Sequence, residues 1–190
     1  MTAHPVDIWT VRLDLPRRAI LSAEERARAA RFRFEQDRVY WTRARSSLRE
    51  ILAGYVSRTP EGIEFTYGEH GKPAVEGIEF NLSHTRGWAM IAVSRGVPVG
   101  VDIEFVREGV EMGKLLARIG EAETGGETGR LFQVWTRREA RTKALGAPLM
   151  QTPPDEVRVA DVEAPAGFAA SVALVWRTPA PVYCCGDGGV

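Results

Sequence analysis

Residues 6 to 15, "VDIWTVRLDL", alternate between apolar and polar side chains, the period of a strand with one buried face. The alternation then stops. In "LSAEERARAARF", Ser22 followed three residues later by Glu25 marks a capped helix start. From Asp37 to Val56 the spacing becomes helical, and Val39, Leu48, Ile51, Leu52 and Tyr55 form one stripe. "EFTYGEHGKPAVEGIEFNLSHT" reads as strand, Gly-rich turn and strand. "WAMIAVS" and "VGVDIEFV" are two further strands joined by the turn "RGVP". Residues 107 to 130 carry no decisive period, and "GEAETGGETG" reads as a loop. A helical repeat resumes in "RLFQVWTRREARTKAL", and Gly146 and Pro148 end it. "EVRVADV" and "FAASVALVW" close the chain as strands, followed by the tail "CCGDGGV".

One echo runs through these elements. "GWAMIAVS" at 87–94 and "GFAASVALV" at 167–175 share Gly, an aromatic and Ala before small and β-branched residues. The echo suggests two related lobes, residues 1–98 and 99–190.

The run at 99–106 breaks the apolar pattern in a specific way. Asp102 and Glu104 are two apart, so their side chains leave one face of the strand, with Cα atoms about 7 Å apart. Val101 and Ile103 then face the core. An ordinary explanation is a solvated strand face. The apolar flanks argue instead for a central strand, where unpaired acids are costly and a cation would offset them. Glu139 and Lys143 lie four apart on one helix face. Alone they read as a surface pair, but Trp135 one turn earlier implies partial burial of that face. Three carboxylates without a His or Cys partner suit a hard cation such as Mg²⁺. Phosphate contacts could come from Lys72 on its Gly-Pro turn, from Ser83 and His84 after a strand, and from Arg28, Arg31 and Arg45.

Composition narrows the class. The chain has 190 residues, 44% hydrophobic and 26% charged, enough for one large domain or two small lobes. Twenty-five basic residues balance 25 acidic ones, which argues against bulk nucleic-acid binding but leaves room for a local patch. From Arg12 to Arg58, both included, stand twelve arginines, no lysine and six acids. Apolar runs fall far short of a membrane span, and "MTAHPVDIWTV" lacks the pattern of a signal peptide. Cys184 and Cys185 are adjacent, which does not suit a disulfide framework, so a reduced cytoplasmic setting is expected.

In order, a basic helical segment ending "RFRFEQD", then "GKP", "FNLSH", "VGVDIE" and "WTRREARTKALG" resemble the Sfp-type 4'-phosphopantetheinyl transferases over about residues 22 to 150. The resemblance implies an α+β fold of two pseudo-symmetric lobes, each a small antiparallel sheet packed against a helix, with coenzyme A between them. It implies Mg²⁺ on Asp102, Glu104 and Glu139, and catalysis by Glu139 and Lys143. Lys72, Pro73, Ser83 and His84 match coenzyme A contacts, and Arg28 and Arg31 match positions reaching its 3'-phosphate. The implied reaction transfers the phosphopantetheine arm to a serine of an apo acyl, peptidyl or aryl carrier protein, by a monomer in the cytoplasm. The alternative is a non-catalytic module that binds coenzyme A or a carrier. Two features depart from the family pattern: Arg138 stands for a lysine, and "ARIGEAETGGETG" replaces a segment usually carrying a Phe-Phe pair and an acidic turn.

Overall fold

The computed structural model describes residues 6–68, 71–121, 125–146 and 157–175. Pro148, Trp176, Cys184, Cys185, the tail and the middle of the Gly-rich segment lie outside them. The chain is an α+β protein with antiparallel sheets. Strand β1 (Val6–Arg12) is followed by helices α1 (Ala23–Ala29) and α2 (Glu35–Val56). A short hairpin, β2 (Thr66–Tyr67) and β3 (Pro73–Ala74), leads into β4 (Glu79–Thr85), β5 (Trp88–Ser94) and β6 (Val99–Phe105). Helices α3 (Met112–Arg118) and α4 (Thr128–Leu145) precede β7 (Val157–Asp161) and β8 (Phe168–Val175).

The strands form sheets in the orders β1-β5-β4 and β6-β8-β7, besides the small β2-β3 pair. Helix α2 covers one face of the first sheet, where Leu48 and Leu52 pack on Phe80, Ile91 and Val93. The opposite face, with Met90 and Ala92, shares a core with Val99, Val101 and Ile103 of β6. The outer face of the second sheet packs under α4, Ala140 and Ala144 meeting Ala173 and Val175. Strand β6 is therefore buried on both faces. Among the described residues, no helix is long and apolar enough to cross a membrane.

The capped start expected at Ser22 is present. Its side chain accepts the Glu25 N–H, and its own N–H donates to Glu25 Oε2 at 2.8 Å. The first strand ends at Arg12 rather than at residue 15. Helix α3 emerges in the stretch without a decisive period, because seven residues are too few to display one. Helix α2 departs most from expectation. Val39, Ile51 and Tyr55 are only half-buried, while Arg45, Ser46, Ser47 and Arg49 are buried. The reason is Glu25 on α1. Its carboxylate takes charged hydrogen bonds from both Arg45 and Arg49, and Arg45 also donates to the Tyr67 hydroxyl and stacks on Phe65. Burial alone would raise the Glu25 pKa, but the Ser22 N–H and the two guanidinium groups hold it below the usual carboxylate range.

Candidate active site

On β6 the period of two places Gly100, Asp102 and Glu104 on the face that meets α4, and Val99, Val101 and Ile103 on the other. The two acids share a face as their spacing requires, but it is not solvated: Asp102 is 2% exposed. Gly100 sets the helix depth. A Cβ at that position would collide with the Ala140 carbonyl oxygen and the Ala144 nitrogen. Only glycine lets the α4 backbone lie this close to the strand.

That proximity brings the helix side chains onto Asp102. The Lys143 ammonium lies 2.6 Å from Asp102 Oδ1 and 3.9 Å from Glu139 Oε2, one turn earlier. Ser83 on β4 donates to the same Asp102 oxygen at 2.8 Å and accepts from Lys143 at 3.3 Å. Asn81, on the same face of β4, accepts the Val101 N–H at 3.0 Å and fixes β6 beside β4. Asn81 went unremarked in the sequence. Its place two residues before Ser83 is the signal that could have found it.

The electrostatics follow from this crowding. Burial first, then the Asp102 charge, raises Glu104 above the usual carboxylate range, against the pull of Arg107 and Lys143. Burial likewise raises Glu139; Lys143 opposes the rise and Asp102 adds to it. Asp102 Oδ2 is buried without a hydrogen-bond partner, an acceptor the protein itself leaves unused. Among the described residues, no group of three or more His, Cys, Asp or Glu stands in metal-binding geometry. The donor chemistry nonetheless fits Mg²⁺, which uses one or two carboxylates together with waters and substrate phosphates. The unpaired Oδ2 is an acceptor that such an ion could use.

The remaining expected residues are spread out. His84 opens onto a cavity of about 530 Å³ lined by Phe32, Gln36, Asp37, Tyr40 and Arg86, within the usual range of a small-molecule site. The ring keeps an exposed edge, but surrounding protein, then Lys143, hold its pKa below the ordinary imidazole value, with Asp37 opposing. Pro73 lies in the hairpin opposite Tyr67. The Lys72 ammonium is engaged by the carbonyls of Lys143 at 2.8 Å, Val99 at 3.3 Å and Ala144 at 3.5 Å. Arg45 is committed to Glu25 and is not available as a phosphate donor. Arg28 lies over the Trp41 ring and lines a second cavity that also holds Glu24, Glu25, Glu61 and Glu64. Arg31 is exposed just beyond α1. Arg138 is buried and donates to Glu121 at 3.1 Å.

Comparison with known proteins places this geometry in context. The chain is 32% identical over 167 residues to the 4'-phosphopantetheinyl transferase HetI of Nostoc sp., covering 77% of this chain and 70% of that one. It is 33% identical over 171 residues to a putative 4'-phosphopantetheinyl transferase of Synechocystis sp., covering 78% and 70%. It is 23% identical over 142 residues to the 4'-phosphopantetheinyl transferase Sfp of Bacillus subtilis, covering 67% and 61%. No protein-family model matches the chain.

Proposed function

The chain belongs to the Sfp-type 4'-phosphopantetheinyl transferases, and from that membership we propose that it moves the 4'-phosphopantetheine arm of coenzyme A onto a serine of a carrier protein. One observation carries the reading to this site: Asp102 is held by Ser83 and Lys143 on one oxygen while its other oxygen has no partner.

The step exchanges the phosphoanhydride bond of the coenzyme A diphosphate for a phosphodiester bond to serine. The carrier serine oxygen forms a bond to the phosphorus bearing the pantetheine arm. The bond from that phosphorus to 3',5'-adenosine bisphosphate breaks, and the departing oxygen takes the bonding pair. Glu139 receives the serine proton, directly or through a water. The Lys143 ammonium, one turn away, counters charge growing on the departing phosphate. Mg²⁺ held by Asp102, Glu104 and Glu139 would neutralise the diphosphate and orient it. His84 would offer a neutral N–H to a phosphate beside its cavity, close to Ser83. Residues 1–98 and 99–190 would act as two pseudo-symmetric lobes with the substrate between them, in a cytoplasmic monomer.

The test uses the full chain with coenzyme A, Mg²⁺ and an apo carrier protein, and mass spectrometry reads the carrier. A gain of one phosphopantetheine arm is expected. Asp102→Asn should abolish it while circular dichroism shows a folded protein. A wild-type chain that binds coenzyme A without changing the carrier mass would reject the transferase reading. A fully active Asp102→Asn variant would reject the assignment of the site.

A further inference from the structure

The geometry points to Lys72 as a positioning residue that holds the end of α4, and through it Lys143, over Asp102. This inference rests on the transferase reading for its kinetic consequence only. The observation is the set of three main-chain carbonyls around one ammonium. Two belong to the last turn of α4, Lys143 and Ala144, and the third is Val99, where β6 begins. Carbonyls at a helix C-terminus lack intrahelical donors and carry the negative end of the helix dipole, so a cation there is doubly favoured. Helix α4 has a second closure of its own, because Gly146 adopts φ 64 and its N–H returns to Lys143 and Thr142. Lys72 adds what Gly146 cannot: a link across to the strand that carries Asp102.

The link matters because of what else meets there. Gly100, one residue beyond Val99, lies against Ala140 and Ala144. Lys143 stands between those two contacts, and its side chain leaves the helix for Asp102. Lys72 thus fastens the main chain of the residue whose side chain touches the site. The Gly-Lys-Pro turn suits the task. Gly71 has φ 73, and Pro73 pairs with Tyr67 in the hairpin, so the lysine stem projects from a stiff base. With its ammonium spent on carbonyls, Lys72 is not presented to a phosphate.

The chain has three lysines, Lys72, Lys114 and Lys143, so ¹⁵N-lysine labelling yields three side-chain ammonium signals. Lys114 is exposed and serves as the internal reference. In Lys72→Met the Lys143 signal should move and the Lys114 signal should not. The same variant should lose about tenfold to a hundredfold in kcat, with KM for coenzyme A changed by less than about twofold. An unmoved Lys143 signal would overturn the inference. So would a raised KM for coenzyme A with kcat retained, the mark of a direct phosphate contact. Should Lys72→Met fail to fold, two other measurements decide. Lys72→Arg, which still reaches carbonyls, should keep the native Lys143 signal. Coenzyme A added to the unaltered protein should shift Lys143 and leave Lys72 in place; the opposite pattern counts against a positioning role. The signals are read without turnover, so an inactive protein would refute the transferase reading and leave this one standing.

Discussion

Replacing Gly100 with alanine adds one methyl group at the tightest approach between β6 and α4. The new Cβ would sit 3.0 Å from Ala144 Cα and closer still to the Ala140 oxygen and the Ala144 nitrogen. Non-bonded carbons are comfortable at about 3.5–4.0 Å, so the helix must retreat by about 1 Å. These neighbours are main-chain atoms of a packed helix and cannot swing aside. Overpacking of this kind costs about 1–3 kcal/mol. The functional loss should be larger than that figure suggests. A retreat of about 1 Å stretches the 2.6 Å contact of Lys143 with Asp102 beyond the 2.7–3.2 Å reach of a hydrogen bond. Misplacement on that scale lowers turnover on the order of a hundredfold. Carrier modification followed by mass spectrometry measures the rate, and a urea melt measures the stability. Gly129→Ala is the control, since nothing lies within 4 Å of its added Cβ and it leaves the strand contact alone. A Gly100→Ala protein with native stability and native rate would refute the claim that close helix approach builds the site.

Three further outcomes follow from the same geometry. Glu104→Gln should stabilise the protein in chelator: the folded-state pKa of Glu104 is raised, so the folded form is penalised as pH climbs through the unfolded carboxylate value, and the penalty is complete above the folded value. Thermal melts should therefore show the variant ahead of the parent near neutrality, the gap closing towards about pH 4; a gap independent of pH would reject the cause. Glu25→Ala leaves Arg45 and Arg49 buried without their carboxylate and should cost about 3–5 kcal/mol in a denaturant melt, a loss below about 1 kcal/mol being the refuting result. Ser83→Ala removes a donor to Asp102 and should lower kcat about tenfold, the net worth of one hydrogen bond to a charged group, with an unchanged rate counting against that role.

Much of this site could be read from spacing, and the unread part has a definite character. The pair Asp102 and Glu104 and the pair Glu139 and Lys143 are local, so their shared faces follow from strand and helix periods. The strands β1, β5, β6 and β8 were visible too, as short alternating or continuous apolar runs between turn residues. What joins the pairs is not local. Ser83 reaches Asp102 across 19 residues and Lys143 reaches it across 41, and no period encodes such contacts. Lys72 shows the limit most sharply. Its turn was legible, but the direction of the side chain was decided by carbonyls 27 to 72 residues away. The arginines of α2 were hidden by the opposite effect. A stripe of apolar residues predicts which face is buried, yet Glu25 pulled Arg45 and Arg49 inward with it, since a paired guanidinium tolerates burial that a lone one would not.

A strand buried on both sides ordinarily reads as a continuous apolar run. Strand β6 keeps that rule on one face only, with Val99, Val101 and Ile103 set against Met90 and Ala92. Its other face carries Asp102 into the buried interior and Glu104 to its half-exposed end. Fully ionised, Asp102, Glu104 and Glu139 bring three negative charges, which Lys143 and the nearby Arg107 offset only in part. The free protein can lower that excess by holding protons, and the raised pKa values of Glu104 and Glu139 are the trace of that tendency. A dication would remove the same excess without protonating either carboxylate, and Asp102 Oδ2 stands ready with no competing donor. The same charge balance is what supports the divalent ion proposed above. The apolar face of β6, Gly100 under α4 and the Asn81 clasp hold the carboxylates of the strand at a fixed place. Stability is supplied by one side of the strand so that the other can stay electrostatically unfinished.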